Sequence, residues 1–155
     1  MRRLVIGVGH PDRGDDDAGR AVARLLKARA LPEDVSVIET DGEAGKLIDL
    51  FGDADVAVLV DAGLSGTAAP GTIHRIDAHT EDLPRPMFAM SSHAIGLVES
   101  VELARTLDVL PARCIVVAIE AKTFELGAGM SPEVAAVLEQ AACVVLKELG
   151  VSVDA

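Results

Sequence analysis

A three-layer α/β/α domain is the fold this sequence predicts. Two observations carry that reading. Apolar, β-rich runs recur at residues 3–8, 56–60 and 113–119. Between them stand segments whose apolar residues recur at helical spacing. Continuous runs suit parallel strands buried on both faces, and strands alternating with helices build a sheet covered on each side. The 155 residues fit one domain, 1–155, large enough to hold its core without a disulfide or structural metal.

Residues 3–8 give the first strand. It breaks at Gly9-His10-Pro11-Asp12-Arg13-Gly14. Ala18, Val22, Leu25 and Leu26 then follow helical spacing, so a helix is expected over about 16–30, ended by Leu31-Pro32. Residues 34–39 alternate and read as the second strand. After the Asp41-Gly42 turn comes a short helix near 43–51, stopped by Gly52. Residues 56–60 form the third and most apolar strand, with Asp61 at its end. Residues 72–76 form a fourth. About eight residues join the third and fourth, too few for a helical crossover, so the fourth should run antiparallel. A long loop, 78–90, carries Pro84-Arg85-Pro86. Ser91-Ser92 is an N-cap signal for a helix to about 107. The fifth strand covers 113–119, and a second long loop covers 121–130. Ser131-Pro132 then pairs an N-cap with proline at the first helical position. Val134, Val137, Leu138, Ala141, Val145 and Leu149 carry one last helix, closed by Gly150.

Composition narrows the function. A net charge of −11 argues against nucleic acid, which demands a surplus of Lys and Arg. Trp and Tyr are missing and only three Phe are present, so there is no platform for stacking bases. No run approaches a membrane span. The N-terminal apolar run is too short and glycine-broken for a signal peptide. Cys114 and Cys143 each sit in an apolar run and read as buried reduced thiols. The expected setting is the cytoplasm.

The chemistry should sit at the C-terminal ends of the strands. If the first and third strands are neighbours, the loops after them diverge and open a crevice there. The loop carrying Asp15-Asp16-Asp17 and the strand end carrying Asp61 would line it, with His93 beside them. Two carboxylates and one imidazole form a ligand set suited to a divalent first-row metal, with positions left open. Each residue also has a plain structural reading. Asp15 or Asp16 would serve as an N-cap, Asp17 as a solvated first-turn acid, Asp61 as a turn residue and His93 as a first-turn histidine. His74 and His79 read as solvated. Gly7-x-Gly9 invites a dinucleotide reading, but the third glycine should stand at position 12, which is Asp12. Acids at the helix start would also repel a pyrophosphate.

Several stretches then fit one pattern. Val5-Ile6-Gly7-Val8-Gly9 with Asp15-Asp16-x-x-Gly19 resembles the opening of the nickel–iron hydrogenase maturation endopeptidases. So do Val60-Asp61-Ala62, Pro70-Gly71-Thr72, Ser92-His93-x-x-Gly96-Leu97 and Gly129-Met130-Ser131-Pro132-Glu133-Val134. The resemblance implies a mixed five-stranded sheet, order 2-1-3-5-4, with strand 4 antiparallel. It implies removal of a C-terminal extension from a hydrogenase large-subunit precursor after nickel insertion. It implies metal contacts from Asp16, Asp61 and His93, with nickel supplied by the precursor and another divalent ion able to enter the isolated protein. Two positions depart from the family's pattern. His10 replaces a usual Asn, and Thr40-Asp41-Gly42-Glu43 replaces a box resembling Asp-Gly-Gly-Thr.

The reading is therefore a peptidase in which Asp16, Asp61 and His93 grip the precursor's nickel. Asp15 or Asp41 is the candidate general base. Three consecutive aspartates repel one another, so one is expected to resist ionisation. Loops 78–90 and 121–130 are expected to form the substrate groove. The expected partner is the precursor, and the expected state a monomer. Two alternatives stand beside this reading: a non-catalytic metal-sensing scaffold for hydrogenase maturation, and a nucleotide-binding module.

Overall fold

The computed structural model describes residues 1–89 and 96–152. Five strands form one sheet: β1 (Arg3–Val8), β2 (Val35–Thr40), β3 (Val56–Gly63), β4 (Ile73–Asp77) and β5 (Arg113–Glu120). Their order is β2-β1-β3-β5-β4. All neighbours pair in parallel except β4, which runs antiparallel to β5. The short β3–β4 connection had demanded that orientation.

The helices are α1 (Ala18–Lys27), α2 (Ala44–Gly52), α3 (Leu97–Thr106), α4 (Pro132–Ala135) and α5 (Leu138–Leu149). On one face of the sheet, Val22 and Leu26 of α1 and Ala142, Val145 and Leu146 of α5 pack against Val5, Val58, Val60 and Val117. On the other, Leu47 and Phe51 of α2 and Val98 and Val101 of α3 pack against Leu4, Ile6, Leu59 and Val116. Alternate residues of each central strand thus enter opposite cores, which is why these strands read as unbroken apolar runs. Among the described residues no helix is long and apolar enough to cross a membrane.

The structure corrects four boundaries. Residues 14–17 form a separate 3-10 turn rather than the start of α1. β3 runs three residues past Val60, because Asp61, Ala62 and Gly63 keep pairing with Ala118, Ile119 and Glu120 of β5. The last helix is broken: Val137, at φ −110°, separates the single turn of α4 from α5. In the 78–90 loop, Arg85–Phe88 form a 3-10 turn. The Ser91-Ser92 cap and His93 lie outside the described residues.

Two other readings change, those of His74 and Cys143. His74 is not solvated: its Nε2 lies 3.0 Å from Glu120 Oε1. His79 is exposed, yet its Nε2 lies 2.6 Å from the Pro111 carbonyl oxygen, which fixes it as a donor. Cys114 is buried as expected, but Cys143 is only half-buried; both are free thiols.

The opening glycines serve packing. A Cβ on Gly19 would lie 2.1 Å from the Val60 carbonyl oxygen and 2.5 Å from that of Val8. A Cβ on Gly9 would lie 1.9 Å from the Asp16 carbonyl oxygen. Gly19 therefore lets α1 approach the ends of β1 and β3, and Gly9 lets the 3-10 turn fold back over β1.

Candidate active site

The crevice opens where β1 and β3 end. His10, Asp16, Asp41 and Asp61 supply its polar groups. Met87, Phe88, Leu97 and Phe124 supply much of its apolar wall. The turn after β1 brings in His10 and Asp16, the segment after β2 brings Asp41, and β3 itself brings Asp61. Both long loops reach the wall, 78–90 through Met87 and Phe88 and 121–130 through Phe124.

Asp61 is buried at 9% exposure. One carboxylate oxygen accepts the Ala62 N–H at 2.8 Å. Burial, and then the charge of Asp16, push its carboxyl well above the usual carboxylate range, against the pull of that single N–H. Among the described residues no Lys or Arg pairs with it. Asp16 is less enclosed. Its Oδ2 lies 2.9 Å from His10 Nδ1 and 4.0 Å from Arg13 Nη1. Asp41 accepts the Glu43 N–H at 3.1 Å and sits 3.6 Å from Lys46 Nζ.

Asp15 does not act as a helix cap. It is fully buried and does not line the crevice. Its carboxylate accepts the N–H groups of Lys122 (2.8 Å), Thr123 (3.3 Å) and Ser131 (2.7 Å) and the Ser131 hydroxyl (2.9 Å). Four donors occupy it, so it is not available as a general base. Its work is to bind the 121–131 segment to the 3-10 turn, helped by backbone bonds from Gly127 N–H to the Asp12 oxygen and from Gly14 N–H to the Ala128 oxygen. Sequence reasoning missed this clamp because its partners lie 107 to 116 residues away. Asp17 is not a solvated acid either: Arg24 holds its Oδ2 at 2.6 Å.

Two acids that repel each other, one of them buried, form a donor pair that a divalent cation would relieve. Among the described residues no three His, Cys, Asp or Glu side chains gather closely enough to hold an ion. His93, the expected third ligand, falls outside them.

The profile of the hydrogenase maturation protease family matches residues 20–148. The chain belongs to that family. A Hydrogenase 2 maturation protease of Escherichia coli is 30% identical over 146 residues, covering 91% of this chain and 86% of that protein. The solved structure of the hydrogenase maturating endopeptidase HybD from Escherichia coli superposes with a TM-score of 0.81 at 28% identity, covering 97% of this chain and 93% of that one. The [NiFe] hydrogenase maturation protease HybD from Thermococcus kodakarensis gives a TM-score of 0.69 at 26% identity, covering 95% and 98%. As a hydrogenase maturation protease the chain is a peptidase. Its sheet order and antiparallel β4 are those the sequence resemblance implied.

Proposed function

We propose that this hydrogenase maturation protease removes a C-terminal extension from a nickel–iron hydrogenase large-subunit precursor after nickel insertion. The observation that carries the reading is the Asp16–Asp61 pair in an apolar-walled crevice. One buried acid faces another with no basic partner of its own among the described residues. That arrangement is costly until a cation arrives, and a nickel-loaded precursor brings one.

Nickel here is part of the substrate. Asp16 and Asp61 grip it, with His93 as the third ligand. Bound this way, the metal polarises the scissile carbonyl or acidifies an attacking water. The residues of this chain set the geometry. Phe88 and Phe124 exclude water from the two sides of the peptide. Asp41 takes the proton of the attacking water and passes it to the leaving amine. The reaction belongs in the reducing cytoplasm, in keeping with the free thiols of Cys114 and Cys143.

The test mixes purified protein with nickel-loaded and nickel-free precursor and follows tail release by mass. Cleavage of the loaded form alone is expected. Asp41→Asn should lower kcat roughly 10²- to 10⁴-fold. Equal cleavage of both precursor forms would overturn the nickel-sensing reading. Loss of turnover in every metal condition would favour the scaffold alternative.

A further inference from the structure

His10 follows the Gly9 turn and reaches back to the 3-10 turn, where its Nδ1 meets Asp16 Oδ2 at 2.9 Å. An ionised carboxylate can only accept, so Nδ1 carries the proton and donates it. Arg13 Nη1, at 4.0 Å, stands on the same oxygen. Both contacts come from the loop after β1, and both fall on Oδ2. Among the described residues nothing bonds Oδ1.

This asymmetry matters because Asp16 lines the crevice beside another acid. Its charge is one cause of the raised carboxyl of Asp61, and the repulsion acts equally on Asp16. The Asp16 side chain is 17% exposed, so burial does not lock it in place as it does Asp61. Something must hold it inward before a cation is present.

We propose that His10 is a positioning residue: by pinning Oδ2 of Asp16 it presents Oδ1 to the substrate's metal beside Asp61. The inference rests on the reading of Asp16 and Asp61 given above. It assigns His10 to Asp16 rather than to the metal. It makes the hydrogen-bond donor, rather than the imidazole ring, the feature that counts. Histidine Nδ1 and asparagine Nδ2 lie the same number of bonds from Cα. His10→Asn therefore keeps the donor, while His10→Leu keeps bulk and removes it.

The experiment titrates Ni²⁺ alone into the purified chain by calorimetry and measures steady-state cleavage of nickel-loaded precursor. The parent, His10→Leu, His10→Ala, His10→Asn and Asp16→Ala are compared, and thermal melts check that each is folded. Loss of the partner that orients a metal ligand costs about 10- to 100-fold in affinity, so His10→Leu and His10→Ala should weaken Ni²⁺ binding and raise KM by that range. Their kcat should stay within about threefold of the parent, and His10→Asn should recover both affinity and KM to within about threefold. Parent-like Ni²⁺ affinity and KM in the Leu and Ala variants would overturn the proposal. So would a folded His10→Asn that behaves like His10→Leu. Asp16→Ala separates the two levels. If it loses binding while the His10 variants keep it, only the positioning role fails. If Asp16→Ala itself binds and cleaves like the parent, the site reading beneath it fails.

Discussion

At the scale of single residues, the proposed function and stability pull against each other at Asp61. Burial and the neighbouring Asp16 both oppose its ionised form, and one N–H from Ala62 is the only bond offsetting them among the described residues. Asp61→Asn keeps the shape and removes the charge. It should raise stability at neutral pH by about 1–2 kcal/mol while abolishing precursor cleavage. Urea melts and the cleavage assay check the two halves; a destabilised variant would mean that the ionised carboxylate has a further partner in the fold. Glu120 shows the opposite balance. Its burial alone would push its carboxyl up. The Ser65 hydroxyl at 2.6 Å, the Ser65 N–H at 2.9 Å and His74 at 3.0 Å outweigh that and hold it below the usual range. A depressed carboxyl stabilises the fold above its unfolded pKa, and the gain is lost as pH falls through the folded one. The stability gap between the parent and Glu120→Gln should therefore narrow as pH drops below about 4.3, the unfolded value. Urea midpoints at neutral and acid pH read this directly, and a gap that is constant with pH would show that Glu120 contributes by packing alone.

At the scale of elements, the site is held by contacts between segments that are distant in sequence. Asp15 is the main example. It converts the 121–131 segment from a loose connection into a wall of the crevice, seating Phe124 and serving the Ser131 cap of α4 at the same time. Asp15→Ala leaves the Lys122, Thr123 and Ser131 N–H groups without their acceptor, the last of them buried. The expected cost is about 1–3 kcal/mol, the range for leaving a buried donor without its partner. Hydrogen exchange localises it: the Lys122, Thr123 and Ser131 amides should lose protection ahead of those in β1 and β3. Uniform loss across the sheet would mean that Asp15 supports the whole fold rather than this loop. The same contacts explain what the sequence did and did not disclose. The strands announced themselves because hydropathy follows burial. Asp61 read as a strand end because hydropathy stops at Val60, while the backbone goes on pairing with β5. The break at Val137 is silent, since Val134, Leu138 and Ala141 keep helical spacing across it. Asp16 was legible through its motif, but Asp15 was misread as a cap because nothing local reveals a partner more than a hundred residues away. His10 stood out as a departure from the family pattern, and only the fold showed what it touches.

At the scale of the whole molecule, the sheet divides its labour between its two ends. At the N-terminal ends of the parallel strands, charges are paired: Arg3 grips Asp34 with two bonds at 2.7 and 2.8 Å, and Arg113 meets Glu148. At the C-terminal ends Glu39 and Glu120 are paired too, but beside them Asp16 and Asp61 converge in the crevice. An end that is held and an end that is electrostatically uneasy fit the proposed site, which waits for a charged substrate without letting the core open. Cys114 reports on that core. It lies on β5, fully buried, and burial, followed by the charge of Asp77, pushes its thiol up to about 12. Thiolate chemistry at neutral pH is suppressed while the sheet is closed. Cys143 is half-buried on α5 and serves as an internal reference. Under native conditions a maleimide should label Cys143 first, and Cys114 only at the rate of global opening. Added urea should then accelerate Cys114 in parallel with the unfolding equilibrium. If the Asp61→Asn variant is stabilised as argued, its Cys114 should label more slowly than the parent's, by about tenfold for each 1.4 kcal/mol, whereas Cys143 should not change. Equal labelling of the two thiols in the folded parent would show that the centre of the sheet opens locally. The strain at the strand ends would then reach the core rather than stopping at the crevice.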